Sequence, residues 1–344
     1  MLGLGLATHA NAQARWRTAD EFLARGVGLT PAESASLTRG DAVARILRTG
    51  DGRDVAVFGA VRVDVPRSFF MARQRDLPRA LRTPTRAQVQ LFGQPATVAD
   101  VQAITVSDDD LTELKKCKPN VCNFKLPTTD MDRLHSTIDL SAPDAKTRVA
   151  VYARQRMAEY VTDYRARGNA AMLVYDDRGT VRSSDAFAGM LRDSSYAFSA
   201  VPSLGEHLLN YPQHTLSGAN EVIFWSRDEM PNLRPVLRIT HQFIYSPPEV
   251  PGLTVQAAKQ IYGNHYFEGG LEVLAAADRE EPIAGTENRG VTVVAVRRYR
   301  FDHLPSGGVM NIRGRVTNGL RDNVVADLKR LKRESETAFT LRGQ

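Results

Sequence analysis

The polar residues best placed to do chemistry lie in one short run, Lys259-Gln-Ile-Tyr-Gly-Asn-His-Tyr-Phe-Glu268. Alternate side chains of an extended strand share a face. Lys259, Ile261, Gly263, His265 and Phe267 therefore form one row, and Gln260, Tyr262, Asn264, Tyr266 and Glu268 the other. One row is expected to line a ligand pocket, which makes Lys259, Tyr262, His265, Tyr266 and Glu268 candidate binding residues. The plainer alternative is a sheet surface knitted by cross-strand hydrogen bonds. His265 and Glu268 invite comparison with a metal pair. Positions three apart on a strand face opposite ways, however, and Gly263, Gly269 and Gly270 oppose the helix that would align them. No metal ligand is assigned.

His241 sits between Ile239 and Phe243 on an apolar face. It reads as a core histidine with one hydrogen-bond partner, or as a polar group that orients a ligand in an apolar cavity. Arg297 and Arg298 are consecutive, so only one can point inward. A buried arginine requires a carboxylate partner, for which Glu268 is the candidate. General acid–base chemistry would need two of His241, His265 and Glu268 to meet in one pocket. The chain has no Gly-x-Ser-x-Gly elbow, and Gly307-Gly308 lacks the Lys-Ser/Thr of a phosphate loop. No catalytic residue and no cofactor is assigned.

Two cysteines, Cys117 and Cys122, are the whole thiol complement. Four residues between them do not fit a redox or haem motif, and two thiols cannot complete a zinc site. A disulfide is expected, adding about 2 kcal/mol by loop closure. It agrees with the first residues, where apolar Met1–Ala7 precedes Ala10-Asn-Ala12, small residues of the kind a signal peptidase accepts. Residues 1–12 read as the remainder of an export signal, placing the protein in the periplasm or outside the cell. No run approaches the roughly 18 apolar residues of a membrane span. The 344 residues carry a formal charge of +6, and the pI of about 9.4 favours an anionic surface as partner. For an exported protein that means lipid headgroups rather than nucleic acid.

These residues must be positioned by a recognisable series of elements. Ala14 to Leu47 reads as helical, with a capping box at Thr30-Pro-Ala-Glu33. Asp54–Val65 is a valine-rich strand, followed by short helices over Ser68–Leu81 and strands at Gln88–Phe92 and Val101–Val106. A helical block from about 107 to 211 holds the cysteine loop and a long helix ended by Gly168. Strands at Glu221–Trp225, Pro235–Tyr245, Leu253–Tyr266, Leu271–Ala277 and Val291–Phe301 form a meander. Ile312, Val316, Leu320, Val324, Leu328 and Leu331 then recur at helical spacing. The opposite face of that helix is basic, from Arg313 to Arg333, and reads chiefly as a solvated surface.

One strand, short helices, further strands and a long final helix is an order that resembles the START-like (SRPBCC, helix-grip) superfamily. The chain also resembles an uncharacterised family of exported bacterial proteins in the loop from Cys117 to Pro127, in Lys259–Phe267 and in Arg298–Asp302. The fold class expected is α+β, a curved antiparallel sheet gripping a C-terminal helix, with a helical insertion at about 107–211. Residues 13–52 form an N-terminal helical segment, 53–334 one helix-grip-like domain and 335–344 a tail. The superfamily resemblance implies a cavity between sheet and final helix that holds an apolar or amphipathic small molecule. His241, Lys259, Tyr262, His265, Tyr266, Glu268 and Arg297 are the candidate lining residues. An enzyme using the same cavity and a ligand-free envelope protein are the alternatives.

Overall fold

The computed structural model describes residues 18–81, 83, 86–194, 198, 200–229, 234–304 and 311–342. The expected signal remnant at 1–12 and the glycines at 307–308 lie outside these residues. The helices are α1 (Ala19–Glu21, running into a π turn over Phe22–Val27), α2 (Pro31–Thr38), α3 (Arg67–Arg75), α4 (Leu77–Ala80), α5 (Asp108–Leu114), α6 (Thr128–Thr137), α7 (Ala145–Arg167), α8 (Ser183–Arg192), α9 (Pro202–Asn210) and α10 (Ile312–Thr340). The strands are β1 (Val43–Leu47), β2 (Asp54–Val63), β3 (Arg86–Leu91), β4 (Val174–Tyr175), β5 (Val181–Arg182), β6 (Asn220–Asp228), β7 (Val236–Tyr245), β8 (Leu253–Gly263), β9 (Phe267–Pro282) and β10 (Arg289–Phe301).

Eight strands form one antiparallel sheet in the order β1-β2-β10-β9-β8-β7-β6-β3, and β4 and β5 make a separate small hairpin. The fold is α+β, with a large antiparallel sheet and a long C-terminal helix. The sheet is covered on both sides, which is why nearly every residue of β2 is buried rather than every other one. On one side α10 lays Val324 and Leu328 on Val57, Val61, Val293 and Ala295, joined by Phe70 and Met71 of α3. On the other side Leu23 and Leu37 pack on Phe58, Ala60, Val294 and Val296. The helices between β3 and β6 cover the rest of that second side, with Tyr160, Val161 and Tyr164 of α7 and Phe187 and Met190 of α8 packed over Trp225, Ile239 and Phe243.

Two local expectations are corrected. Val43–Leu47, read as helix, is an edge strand paired with Ala56–Ala60. Val43 and Ile46 are β-branched, and the open edge of β2 outweighs the helical pattern before them. Val101–Val106, read as a strand, is the end of a 3-10 turn (Val98–Val101) and an irregular segment. The capping boxes at Thr30/Glu33 and Ser107/Asp110 are both present.

Gly59 sets how closely α10 approaches the sheet. A Cβ there would lie 2.5 Å from Val324 Cγ1 and 2.8 Å from Leu328 Cδ1, with Val43 O 3.2 Å behind it. Gly59→Val is therefore expected to lower stability by about 1–3 kcal/mol, the usual cost of overpacking. Urea denaturation checks it; an unchanged midpoint would show that the helix yields freely.

A candidate ligand cavity beneath the inserted helices

A cavity of about 400 Å³ opens between the sheet and the inserted helices. It lies on the face opposite α10, so the position expected from the final helix is corrected. Three walls enclose it. The sheet contributes Trp225, Leu237, Ile239 and Tyr262; α7 contributes Val149, Tyr152, Arg156, Met157 and Tyr160; the α5–α6 unit contributes Leu114, Phe124, Leu126 and Leu134. Specific bonds hold the walls apart. The Tyr160 hydroxyl donates to Ile261 O at 2.7 Å, Trp225 Nε1 donates to Asp100 O at 2.8 Å, and Arg154 donates from Nη2 to Ile104 O at 2.7 Å.

The α5–α6 unit has its own small core of Leu114, Cys117, Cys122, Phe124, Met131 and Leu134. Cys117 and Cys122 lie at disulfide distance, with Cα atoms 4.4 Å apart. The loop is anchored to the β4–β5 hairpin by Asn120 N donating to Asp176 O at 2.7 Å, and to Asn264 by Lys125 N donating to its carbonyl at 2.9 Å.

Charged side chains also border the cavity: Asp109, Asp110, Asp130, Arg156, Arg227 and Arg234. Arg156 pairs with Asp130 at 2.9 Å and Glu159 at 2.5 Å. Burial, then the neighbouring Asp130 carboxylate, pushes the Tyr152 hydroxyl up to about 12, so it remains a neutral donor across the physiological range. A concave space that combines apolar walls with convergent polar groups is the ordinary form of a small-molecule site.

Of the seven candidate residues, Tyr262 alone lines this cavity. A register shift opposite Ile239–Thr240 breaks the alternation of β8, and Ile261 and Tyr262 both join the core beneath the inserted helices. His265 is buried with Nδ1 2.6 Å from Asn123 O, its ring packed on Phe124. Tyr266 holds Arg234 N through its hydroxyl at 3.1 Å. Glu268 binds Arg53 at 3.1 Å and is not the partner expected for the buried arginine. That arginine is Arg298, whose partner is Asp54 at 2.7 Å. Arg297 faces the other way, towards Asp327 of α10 at 2.6 Å.

The sheet surface that faces α10 in this region is not apolar. It carries Arg238 paired with Asp228, Arg297 close to Glu272, and Tyr299 donating to Glu272. Burial would raise Glu272, but Arg297 and Arg238 hold it down at about 2, so it stays ionised. Of the basic face of α10, Arg313, Arg330 and Lys332 are tied to carbonyls or carboxylates of the chain itself.

His241 and Lys259 do come together, as directly opposed residues of β7 and β8. Each is 1% exposed and neither lines the cavity. His241 Nδ1 lies 3.0 Å from the Tyr164 hydroxyl. Its Nε2 lies 2.8 Å from Glu221 Oε1, close enough for an ion pair although poorly aligned for a hydrogen bond. Burial lowers the histidine despite Glu221. The Lys259 ammonium bonds to Asn169 and sits over the rings of Phe187 at 4.5 Å and Tyr164 at 5.5 Å. Burial alone pulls it down to about 7.

No protein-family model and no curated protein matches this chain. The sequence shows α7 as a long helix but assigns none of Tyr152, Met157 and Tyr160 to a site. Sequence reasoning missed Trp225, Arg227 and Arg234. The available signal was weak: cationic residues on both sides of one hairpin, next to a buried tryptophan.

Proposed function

We propose that this is an exported binding protein that carries an amphipathic small molecule between its sheet and its inserted helices. The observation that carries the reading is the cavity of about 400 Å³, in which apolar side chains from three walls meet charged and polar ones. The cysteine pair supports an oxidising compartment, as does the apolar N-terminal segment read from the sequence. The strand order, with β2 next to β10 and α10 laid across them, supports kinship with helix-grip proteins. In such a kinship the ligand space lies on the other face of the sheet, because the face towards α10 is filled by apolar side chains over β2 and by ion pairs over β7, β9 and β10. Binding is favoured over catalysis because His241 and Lys259 are walled off from the cavity.

Native mass spectrometry of protein purified from its own compartment tests the proposal. A bound small molecule is expected in the wild type. Leu237→Trp, which places an indole in the cavity, should reduce its occupancy by about tenfold or more, since the lost contacts are worth at least 1.4 kcal/mol. A wild-type protein that retains no ligand, and takes none up on incubation with a lipid extract, would overturn it.

A further inference from the structure

The charge balance of the lining narrows the ligand class, given the binding cavity proposed above. Its carboxylates are engaged or turned to solvent. Asp130 is held by Arg156 at 2.9 Å, Asp110 accepts from Ser107 N at 3.1 Å, and Asp109 lies on the exposed side of α5. The cations are less fully used. Arg234 gives Nη2 to Glu113 at 3.3 Å, but its Nη1 is buried with no hydrogen-bond partner among the described residues. The Arg227 guanidinium, also on the lining, makes no hydrogen bond or ion pair among the described residues.

Arg227 and Asn264 adjoin in this lining. Arg227 pairs across β6 and β7 with Leu237, whose N–H donates to Asn264 Oδ1 at 2.8 Å. Arg227 and Asn264 therefore flank Leu237 on either side. The Asn264 Oδ1 is spent on this bond, which leaves its amide nitrogen as a further donor. This part of the lining thus offers donors and positive charge, while Leu126, Leu134 and Val149 offer hydrocarbon. Arg227 and Arg234 are half-buried, and donors left over on a guanidinium are best used by an oxyanion.

We infer that the cavity takes an amphiphile with a carboxylate head, bound by Arg227 and Arg234 with its chain against Leu126, Leu134 and Val149. Decanoate, decanol and decylamine, which share a chain and differ in head, test this by titration calorimetry on ligand-stripped protein. Decanoate should bind about tenfold or more tighter than decanol, because hydrogen bonds to charged groups contribute about 1.5–3 kcal/mol. Decylamine should bind weakest. Arg227→Gln alone, and Arg227→Gln with Arg234→Gln, should erase most of the decanoate advantage by weakening decanoate far more than decanol; melting curves confirm that each variant is folded. Equal binding of acid and alcohol, or a decanoate affinity indifferent to both variants, overturns the head-group assignment and leaves the cavity standing. Failure of all three probes to bind the wild type overturns the binding function itself and the head-group assignment with it.

Discussion

Replacing Lys259 by methionine should make the protein more stable at neutral pH, and the gain should shrink as the pH rises. Lys259 is 1% exposed and has no carboxylate partner among the described residues; it meets an asparagine oxygen and two aromatic rings. Burial lowers its pKa from 10.5 to about 7. Between those values an unfolded chain holds a proton that the folded chain does not, so this group's contribution to stability rises with pH across that window. Below about pH 7 the folded state bears the full cost of a buried charge. The displacement from 10.5 to about 7 corresponds to roughly 5 kcal/mol, an upper bound on the gain of Lys259→Met at low pH. Urea unfolding of both proteins at several pH values between 6 and about 10 measures it. A variant less stable than the wild type by the same amount at every pH would mean that the ammonium is well solvated or paired.

The opposite result is expected at Arg298. Its side chain is 2% exposed and Asp54 is 1% exposed. Nη2 donates to Asp54 at 2.7 Å and Asp193 at 2.9 Å, and Nη1 donates to Ser194 Oγ at 3.0 Å. Asp193 and Ser194 follow α8, so this one guanidinium ties the inserted helices to β2 and β10. Removing one member of such a pair leaves a buried charge behind, which costs about 3–5 kcal/mol. Arg300 Nε at 3.2 Å moderates the loss at Asp54, which places Arg298→Met nearer the lower end. The double variant Arg298→Met with Asp54→Leu should recover most of it, since neither charge then remains. Additive losses in the double variant would contradict the ion-pair account.

Much of the sheet was legible because its strands are long and β-branched. Val291–Val296 and Leu237–Tyr245 declare themselves by residue type and period, and the final helix by its stripe from Ile312 to Leu331. Even that stripe is only partly used: Val324 and Leu328 are buried, whereas Ile312 is 37% exposed, because α10 meets the sheet chiefly over β1 and β2. β1 was hidden by its shortness. The candidate site was legible in one residue, Tyr262, for two physical reasons. A register shift in β8 disrupts the two-residue alternation on which face assignment rests. The cavity itself arises from docking α5–α6 and α7 onto strands a hundred residues away, which no local pattern encodes. The disulfide was legible because loop length and thiol count leave few alternatives.

Methyl-resolved NMR during a decanoate titration tests the location of the binding site most directly. Ile104, Leu126, Leu134, Leu173 and Leu237 surround the cavity, and Val316, Leu320, Val324 and Leu328 lie on the helix across the sheet. Saturable shifts confined to the first group are predicted. Shifts confined to the second group, or none in either, would contradict a ligand site beneath the inserted helices.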